Sequence, residues 1–305
     1  MILVTGGSGM VGHAFSQVET NEEIVLLSSR TCDLRNKQKT YELFEQLKPD
    51  AVIHLAARVG GIQANMDHMA EFYSDNILIN THVLEASKRS GVKKVVSLLS
   101  TCVYPNEVTY PLTEDQIHNG QPHSSNFAYA YAKRMLDVQS RAYRQQHGCN
   151  FITAVPNNLF GENDNYHLKD SHVIPAIMHK MLKAHTKVEL WGDGNPLREF
   201  TYSWDLAKIL LFLLENYEDP EPINVGNPNE FSIREIAYKI KDFMGFDGEI
   251  KWDTTKPAGQ FRKPSCNKKL QALGWTPDNY TPLDVSLERS CQWFKLNYPN
   301  VRGAQ

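Results

Sequence analysis

Met1-Ile2-Leu3-Val4-Thr5-Gly6-Gly7-Ser8-Gly9-Met10-Val11-Gly12-His13-Ala14-Phe15 opens the chain with a short apolar run, a glycine-rich turn and the apolar start of a helix. Gly7, Gly9 and Gly12 satisfy G-x-G-x-x-G, and Gly6, Gly9 and Gly12 satisfy the wider G-x-x-G-x-x-G. Glycines in such a turn let the backbone approach a pyrophosphate, whose charge then rests at the positive end of the following helix. The order strand, glycine turn, helix predicts a dinucleotide site at Gly6, Gly7, Ser8, Gly9, Met10, Val11 and Gly12.

A second strand is expected over 23–29, and the residues after it bear on the cofactor. An acid there would bind a ribose 2′-hydroxyl, whereas Arg30, following Ser28 and Ser29, offers a guanidinium to a 2′-phosphate and favours NADPH/NADP+. Asp33, followed by Leu34, opposes that reading, because it lies about 20 residues past the glycines, where the acid of an NAD site is expected. A helix over 37–47 leads to Ala51-Val52-Ile53-His54-Leu55-Ala56-Ala57, a run typical of a strand buried on both faces of a parallel sheet. Ala56 and Ala57 at its end leave room for the cofactor, and His54 reads as a packed core residue. A helix over 73–90 closed by Gly91, then a fourth strand over 92–100, complete the alternation. The fold expected is α/β, a Rossmann-type doubly wound parallel sheet.

The fourth strand ends at Ser100, and the carboxyl ends of parallel strands are where such folds place ligands. Tyr129 and Lys133, four residues apart in a helix expected over 127–147, share one face. An ammonium beside a phenol favours phenolate, so the tyrosine is expected to exchange a proton with a carbonyl oxygen near neutral pH, where an unperturbed phenol of pKa about 10 would not. With the Ser100 hydroxyl as a second donor, the trio predicts carbonyl reduction.

A chain of 305 residues, 41% hydrophobic and 22% charged, is long enough for a substantial core. A net charge of −3 with both signs mixed provides no long-range field for nucleic acid or an anionic membrane. No apolar run approaches the ~20 residues of a bilayer span, and no signal peptide is expected before the glycine turn. Cys32, Cys102, Cys149, Cys266 and Cys291 are scattered with no C-x-x-C pair, which suggests reduced thiols in a cytoplasmic protein without a metal site.

These features resemble the extended branch of the short-chain dehydrogenase/reductases, which act mostly on nucleotide sugars. Within it, the chain resembles the GDP-L-fucose synthase family through Ala56-Ala57-Arg58-Val59-Gly60-Gly61-Ile62, Ser100-Thr101-Cys102-Val103-Tyr104-Pro105, Pro156-Asn157-Asn158-Leu159-Phe160-Gly161, Asp164-Asn165-Tyr166-His167, Ser171-His172-Val173-Ile174-Pro175-Ala176 and Trp191-Gly192-Asp193-Gly194-Asn195-Pro196-Leu197-Arg198-Glu199-Phe200. Thr101 stands where the family has a second serine, and Asn157 where threonine is common. The resemblance implies 3,5-epimerisation of GDP-4-keto-6-deoxy-mannose and NADPH-dependent reduction at C4. It makes Cys102 the base and His172 the acid of the epimerisation, because inversion α to a ketone needs a proton removed on one face and added on the other. It also implies cofactor contacts from Pro156, Asn158, Leu159 and His172, and a homodimer built on the helices over 73–90 and 127–147.

The second half reads as a helix over 173–184, a strand over 188–191, a helix over 204–214, a strand over 222–226 and a capping box at Ser232-Ile233-Arg234-Glu235. The division expected is a cofactor domain over 1–164, to which 197–226 returns, and a smaller, discontinuous α/β substrate domain over 165–196 and 227–305. In that domain Arg198 and Lys263 are candidates for a diphosphate and Trp191 for a base or sugar. The nearest rivals are a 4-epimerase, a 4,6-dehydratase or a plain 4-ketoreductase of the same fold, and a dehydratase would want an acid where Thr101-Cys102 stands. A protein that binds NADPH without turnover would not need Ser100, Tyr129 and Lys133 together.

Overall fold

A computed structural model describes residues 1–168, 170–256 and 261–304. Along the first half run β1 (Ile2–Thr5), α1 (Met10–Phe15), β2 (Ile24–Leu27), α2 (Lys37–Leu47), β3 (Ala51–His54), α3 (Ile62–Asp67), α4 (Met69–Arg89), β4 (Lys94–Leu98), α5 (Phe127–His147) and β5 (Phe151–Pro156). The second half continues with β6 (Asn158–Phe160), α6 (Val173–Lys183), β7 (Lys187–Trp191), β8 (Leu197–Tyr202), α7 (Ser203–Asn216), β9 (Ile223–Val225), β10 (Glu230–Ser232), α8 (Ile233–Met244), β11 (Glu249–Asp253), α9 (Lys268–Ala272) and α10 (Leu283–Asn297).

Six parallel strands in the order β2-β1-β3-β4-β5-β9 form the main sheet. The alternation of side chains along each strand divides the apolar run between two helical layers. Ile2 and Val4 pack with α1 and α7, whereas Leu3 faces α2, α4 and α5. Val52 and Ile53, Val95 and Val96, and Phe151 and Ile152 divide in the same way. β1 lies between β2 and β3, so the winding reverses there and opens a crevice at the carboxyl ends of the strands.

β3, expected to reach Ala57, ends at His54. The Leu55 N–H still reaches the Thr5 carbonyl at 3.3 Å, but the Ala56 N–H donates to the Thr5 hydroxyl at 3.2 Å, and the chain leaves the ladder.

The second lobe holds a three-stranded sheet, β10-β8-β6, and the parallel pair β11-β7. Its core gathers Phe160, Tyr166, Ile177, Phe200, Tyr202, Ile240 and Phe294. The return of the chain to the main sheet, expected from residue 197, begins only at Ser203, through α7 and β9. The reason is that Phe200 and Tyr202 pack into the second core and Thr201 donates to Asn157 at 2.6 Å. β6 joins that second sheet too, although it falls within 1–164. The capping box is present: the Ser232 N–H donates to Glu235 at 2.7 Å and the Glu235 N–H to the Ser232 hydroxyl at 3.1 Å. α10, in an undistinctive stretch of sequence, places Leu287, Cys291 and Phe294 at full burial. Among the described residues no helix is long and apolar enough to cross a membrane.

A methyl group on Gly12 would lie 2.5 Å from the Gly7 backbone, so α1 can approach the turn only as glycine. Gly12→Ala is expected to lower stability by roughly 2–3 kcal/mol in urea unfolding. Gly91→Ala, where the added carbon meets nothing within 4 Å and only a φ of 69° resists it, is expected to cost about 1 kcal/mol. Equal losses would contradict the contact account of Gly12.

Candidate active site

The crevice is a cleft of about 1620 Å³ running from the glycine turn into the second lobe. Its walls include Gly6, Ser8, Gly9, Met10, Val11, Gly12, Arg30, Asp33, Leu34, Ala56 and Ala57 at the dinucleotide end. Ser100, Tyr129, Lys133, Pro156, Asn158, Leu159, His172, Trp191 and Arg198 line the rest. Three of the residues expected there are not on the wall. Gly7 turns toward β2, where its N–H donates to Leu27 at 2.8 Å and an added carbon would lie 2.7 Å from the Leu26 side chain. Cys102 sits half-buried behind Ser100, in the single turn that follows β4, and its N–H donates to the Ser100 hydroxyl at 3.5 Å. Lys263 donates to the Thr101 carbonyl at 3.1 Å, so its ammonium is engaged beside Cys102.

Lys133 is 2% exposed, and its ammonium donates to the Leu98 carbonyl at 2.8 Å, at the end of β4. Burial pushes it down to about 8. Its nitrogen lies 5.8 Å from the centre of the Tyr129 ring, which also meets Phe72 edge-on at 6.2 Å. The sequence predicts a phenolate-favouring pair, but burial pushes the Tyr129 phenol well above its ordinary value, and the Cys102 charge adds to the rise. Tyr129 is therefore a neutral phenol at rest, holding the proton that a ketone oxygen would take. Burial also raises the Cys102 thiol, while the Ser100 hydroxyl and the charges of Lys263 and Lys133 oppose the rise.

At the dinucleotide end Gly6 has φ +75°, and a side chain there would strike the Ala56 N at 2.9 Å. The turn is thus bare backbone facing the cleft, which fits a pyrophosphate. Asp33, one of the two rival ribose ligands, is held by Arg35, whose Nε and Nη2 donate to its carboxylate at 3.0 and 2.8 Å. That pairing holds the Asp33 carboxyl below its usual range and adds a guanidinium to the wall beside the exposed Arg30. Arg35 was not legible as a site residue, since a lone arginine two positions past an acid carries no motif.

From the second lobe, His172 caps α6 and faces open cleft, whose walls desolvate the imidazole and push it down, toward the neutral form. Trp191 is 63% exposed on the rim, with the Lys256 ammonium 6.0 Å from its ring centre. Arg198 is half-buried and donates to its neighbour's carbonyl, Leu197, at 2.7 Å. Asn157, the departure from the family's threonine, binds three partners: Thr201 donates to it, and it donates to the Asn227 carbonyl at 2.9 Å and Glu199 at 3.2 Å. Glu199 in turn accepts from the Ser265 N–H at 3.0 Å, which anchors the segment carrying Lys263. Asn163 also reaches across, donating to the Ser8 carbonyl at 3.1 Å. Among the described residues no cluster of His, Cys, Asp or Glu could hold a metal ion.

The family model described as the NAD dependent epimerase/dehydratase family matches residues 2–226. The chain belongs to the NAD dependent epimerase/dehydratase family. It is 46% identical to a GDP-L-fucose synthase of Dictyostelium discoideum, over 99% of this chain and 97% of the relative. It is 40% identical to a probable GDP-L-fucose synthase of Drosophila melanogaster, over 99% of each. The crystal structure of a GDP-L-fucose synthetase from Naegleria fowleri bound to NADP matches with a TM-score of 0.92 and 42% identity, over 99% of this chain and 94% of that one. An epimerase/dehydratase fold thus carries a Tyr-Lys pair and a serine after β4 on one cleft wall, with a thiol directly behind the serine.

The buried lysine has a signature in stability. Its folded pKa of about 8 lies below the ordinary 10.5, so between those values the unfolded chain binds a proton that the folded chain does not, and stability rises with pH. Relative to Lys133→Met, the wild type is expected to gain roughly 3 kcal/mol as pH rises through that window. A difference that is flat or falls with pH in urea titrations would contradict a desolvated Lys133.

Proposed function

We propose that the protein is an NADPH-dependent GDP-L-fucose synthase, converting GDP-4-keto-6-deoxy-D-mannose to GDP-L-fucose by 3,5-epimerisation and reduction at C4. The carrying observation is the cleft lined by Tyr129, Lys133, Ser100 and His172, with Cys102 directly behind Ser100 in the single turn that follows β4. The glycine turn and Arg30 would hold NADPH, which supplies the hydride when bound. Tyr129 gives its phenolic proton to the C4 oxygen, and the phenolate left behind faces the Lys133 ammonium. The attraction between that pair grows as the proton moves, so it stabilises the transition state more than the ground state. Ser100 donates to the same oxygen. Cys102, as the thiolate that Lys263 and Lys133 favour, takes a proton from C3 or C5 and becomes the thiol, while His172, protonated for the step, gives its own proton to the other face of that carbon. Exchange with solvent resets both groups before the second inversion. Arg198 offers a planar fork to the diphosphate and Trp191 a face to the base.

The outer face of α4 and α5 exposes Tyr73 (43%), Leu78 (42%), Met135 (37%) and Val138 (42%), an apolar strip suited to the same strip of a second copy. A homodimer with a four-helix interface follows, in the reducing cytoplasm that five unpaired cysteines suit.

Tyr129→Phe is expected to slow NADPH oxidation by about 10²-fold or more with the cofactor still bound. Near-normal turnover would show that another group protonates the oxygen. Epimerisation is read separately, as deuterium uptake from solvent into the keto sugar without NADPH. Wild type should exchange at C3 and C5 and Cys102→Ser should be silent, because a thiol ionises far more readily than a serine hydroxyl, which forms almost no alkoxide near neutral pH. Exchange at the wild-type rate in that variant would assign the base to another residue, and a wild type that does not exchange would make the protein a plain 4-ketoreductase.

A further inference from the structure

His54 is 1% exposed, lies under the cleft floor and has no part in the chemistry above. Its hydrogen bonds settle its tautomer. Asn80 Nδ2 donates to the Ala132 carbonyl of α5 at 3.4 Å, which leaves Asn80 Oδ1 as the acceptor facing His54 Nε2 at 3.1 Å. His54 Nε2 must therefore carry the proton, and Nδ1 must accept from Thr5 Oγ1 at 2.8 Å. The Thr5 hydroxyl, its proton so committed, accepts the Ala56 N–H at 3.2 Å. Every donor points the same way from Ala56 to Ala132, and each group satisfies the next. The two ends are functional neighbours: Ala56 is the residue that Gly6 packs on, and Ala132 lies between Tyr129 and Lys133.

We propose that Thr5, His54 and Asn80 form a one-way hydrogen-bond chain that sets the Tyr129–Lys133 turn of α5 against the glycine turn, making them positioning residues for the ketone reduction. This rests on the reductase reading given above. The chain requires a neutral imidazole, and the site supplies one: burial and the Lys133 charge, the charged group that acts on the ring, hold His54 down near 3. Breaking the chain leaves a buried donor or acceptor unpaired and frees α5 to shift, and misplacement of a reacting group by about 1 Å costs rate more than binding.

The test uses two readouts. Nitrogen NMR of the imidazole in the intact protein should show a protonated Nε2 and a bare Nδ1, unchanged from about pH 8 to about pH 5. The opposite tautomer, or titration in that range, would overturn the chain whatever the protein's substrate. In turnover with GDP-4-keto-6-deoxy-mannose and NADPH, Thr5→Val should lower kcat about tenfold while the sugar KM stays within about twofold. Thr5→Ser, which keeps the hydroxyl, should restore kcat, and Asn80→Ala should resemble Thr5→Val. Wild-type kcat in Thr5→Val or Asn80→Ala, or a loss confined to thermal stability, would reduce the chain to core packing. Failure of the wild type to turn over that sugar would count against the proposed substrate, and the tautomer would still decide the chain.

Discussion

A single buried ammonium organises this site. Lys133 is closed off from water and, among the described residues, donates to the Leu98 carbonyl where β4 ends, a bond that offsets part of the cost of its charge. Such a charge gains most when a negative one forms beside it. The Tyr129 phenol, neutral at rest and half-buried a turn earlier in α5, would become that negative charge on giving up its proton, and the Cys102 thiol is within the same field. The parallel sheet places a carbonyl at the end of β4, the helix spacing places the phenol, and the second core holds the cleft's other wall.

The two lobes are joined by buried polar contacts at the strand ends that face the cleft. Asn157, at the end of β5, binds Thr201, Glu199 and Asn227, and Glu199 holds Ser265, two residues from the lysine that reaches Thr101. A carboxylate as buried as Glu199 persists because those donors satisfy it. The consequence is that the segment bringing Lys263 is anchored to the turn after β4. A threonine hydroxyl at position 157 has a single O–H to donate, whereas the Asn157 amide donates to Glu199 and to the Asn227 carbonyl at once.

What was legible in the sequence was local. The glycine turn, the i, i+4 relation of Tyr129 and Lys133, and the Ser232–Glu235 capping box each depend on residues within a turn or two, where spacing determines geometry. The main sheet followed from alternation of apolar runs. The exceptions are non-local: β8 joins the second sheet by pairing with β6 and β10, α10 reaches the core through Leu287 and Phe294, and Arg35 captures Asp33. Tyr129 shows the limit most clearly. Spacing gave it a cation as neighbour and suggested a phenolate, but burial, which spacing does not encode, outweighs the neighbour. His54 is core, as expected, and its partners Thr5 and Asn80, which spacing does not reveal, lie on different elements.

The central claim is that one cleft inverts two carbons and reduces a third. The direct measurement is the configuration of the sugar released when the protein is given GDP-4-keto-6-deoxy-D-mannose and NADPH, read by proton NMR of the isolated product against cofactor consumed. The account predicts GDP-L-fucose, with one NADPH oxidised per sugar. A reduced 6-deoxy sugar that keeps the original configuration at C3 and C5, or an inverted ketone that accumulates without NADPH oxidation, would contradict it.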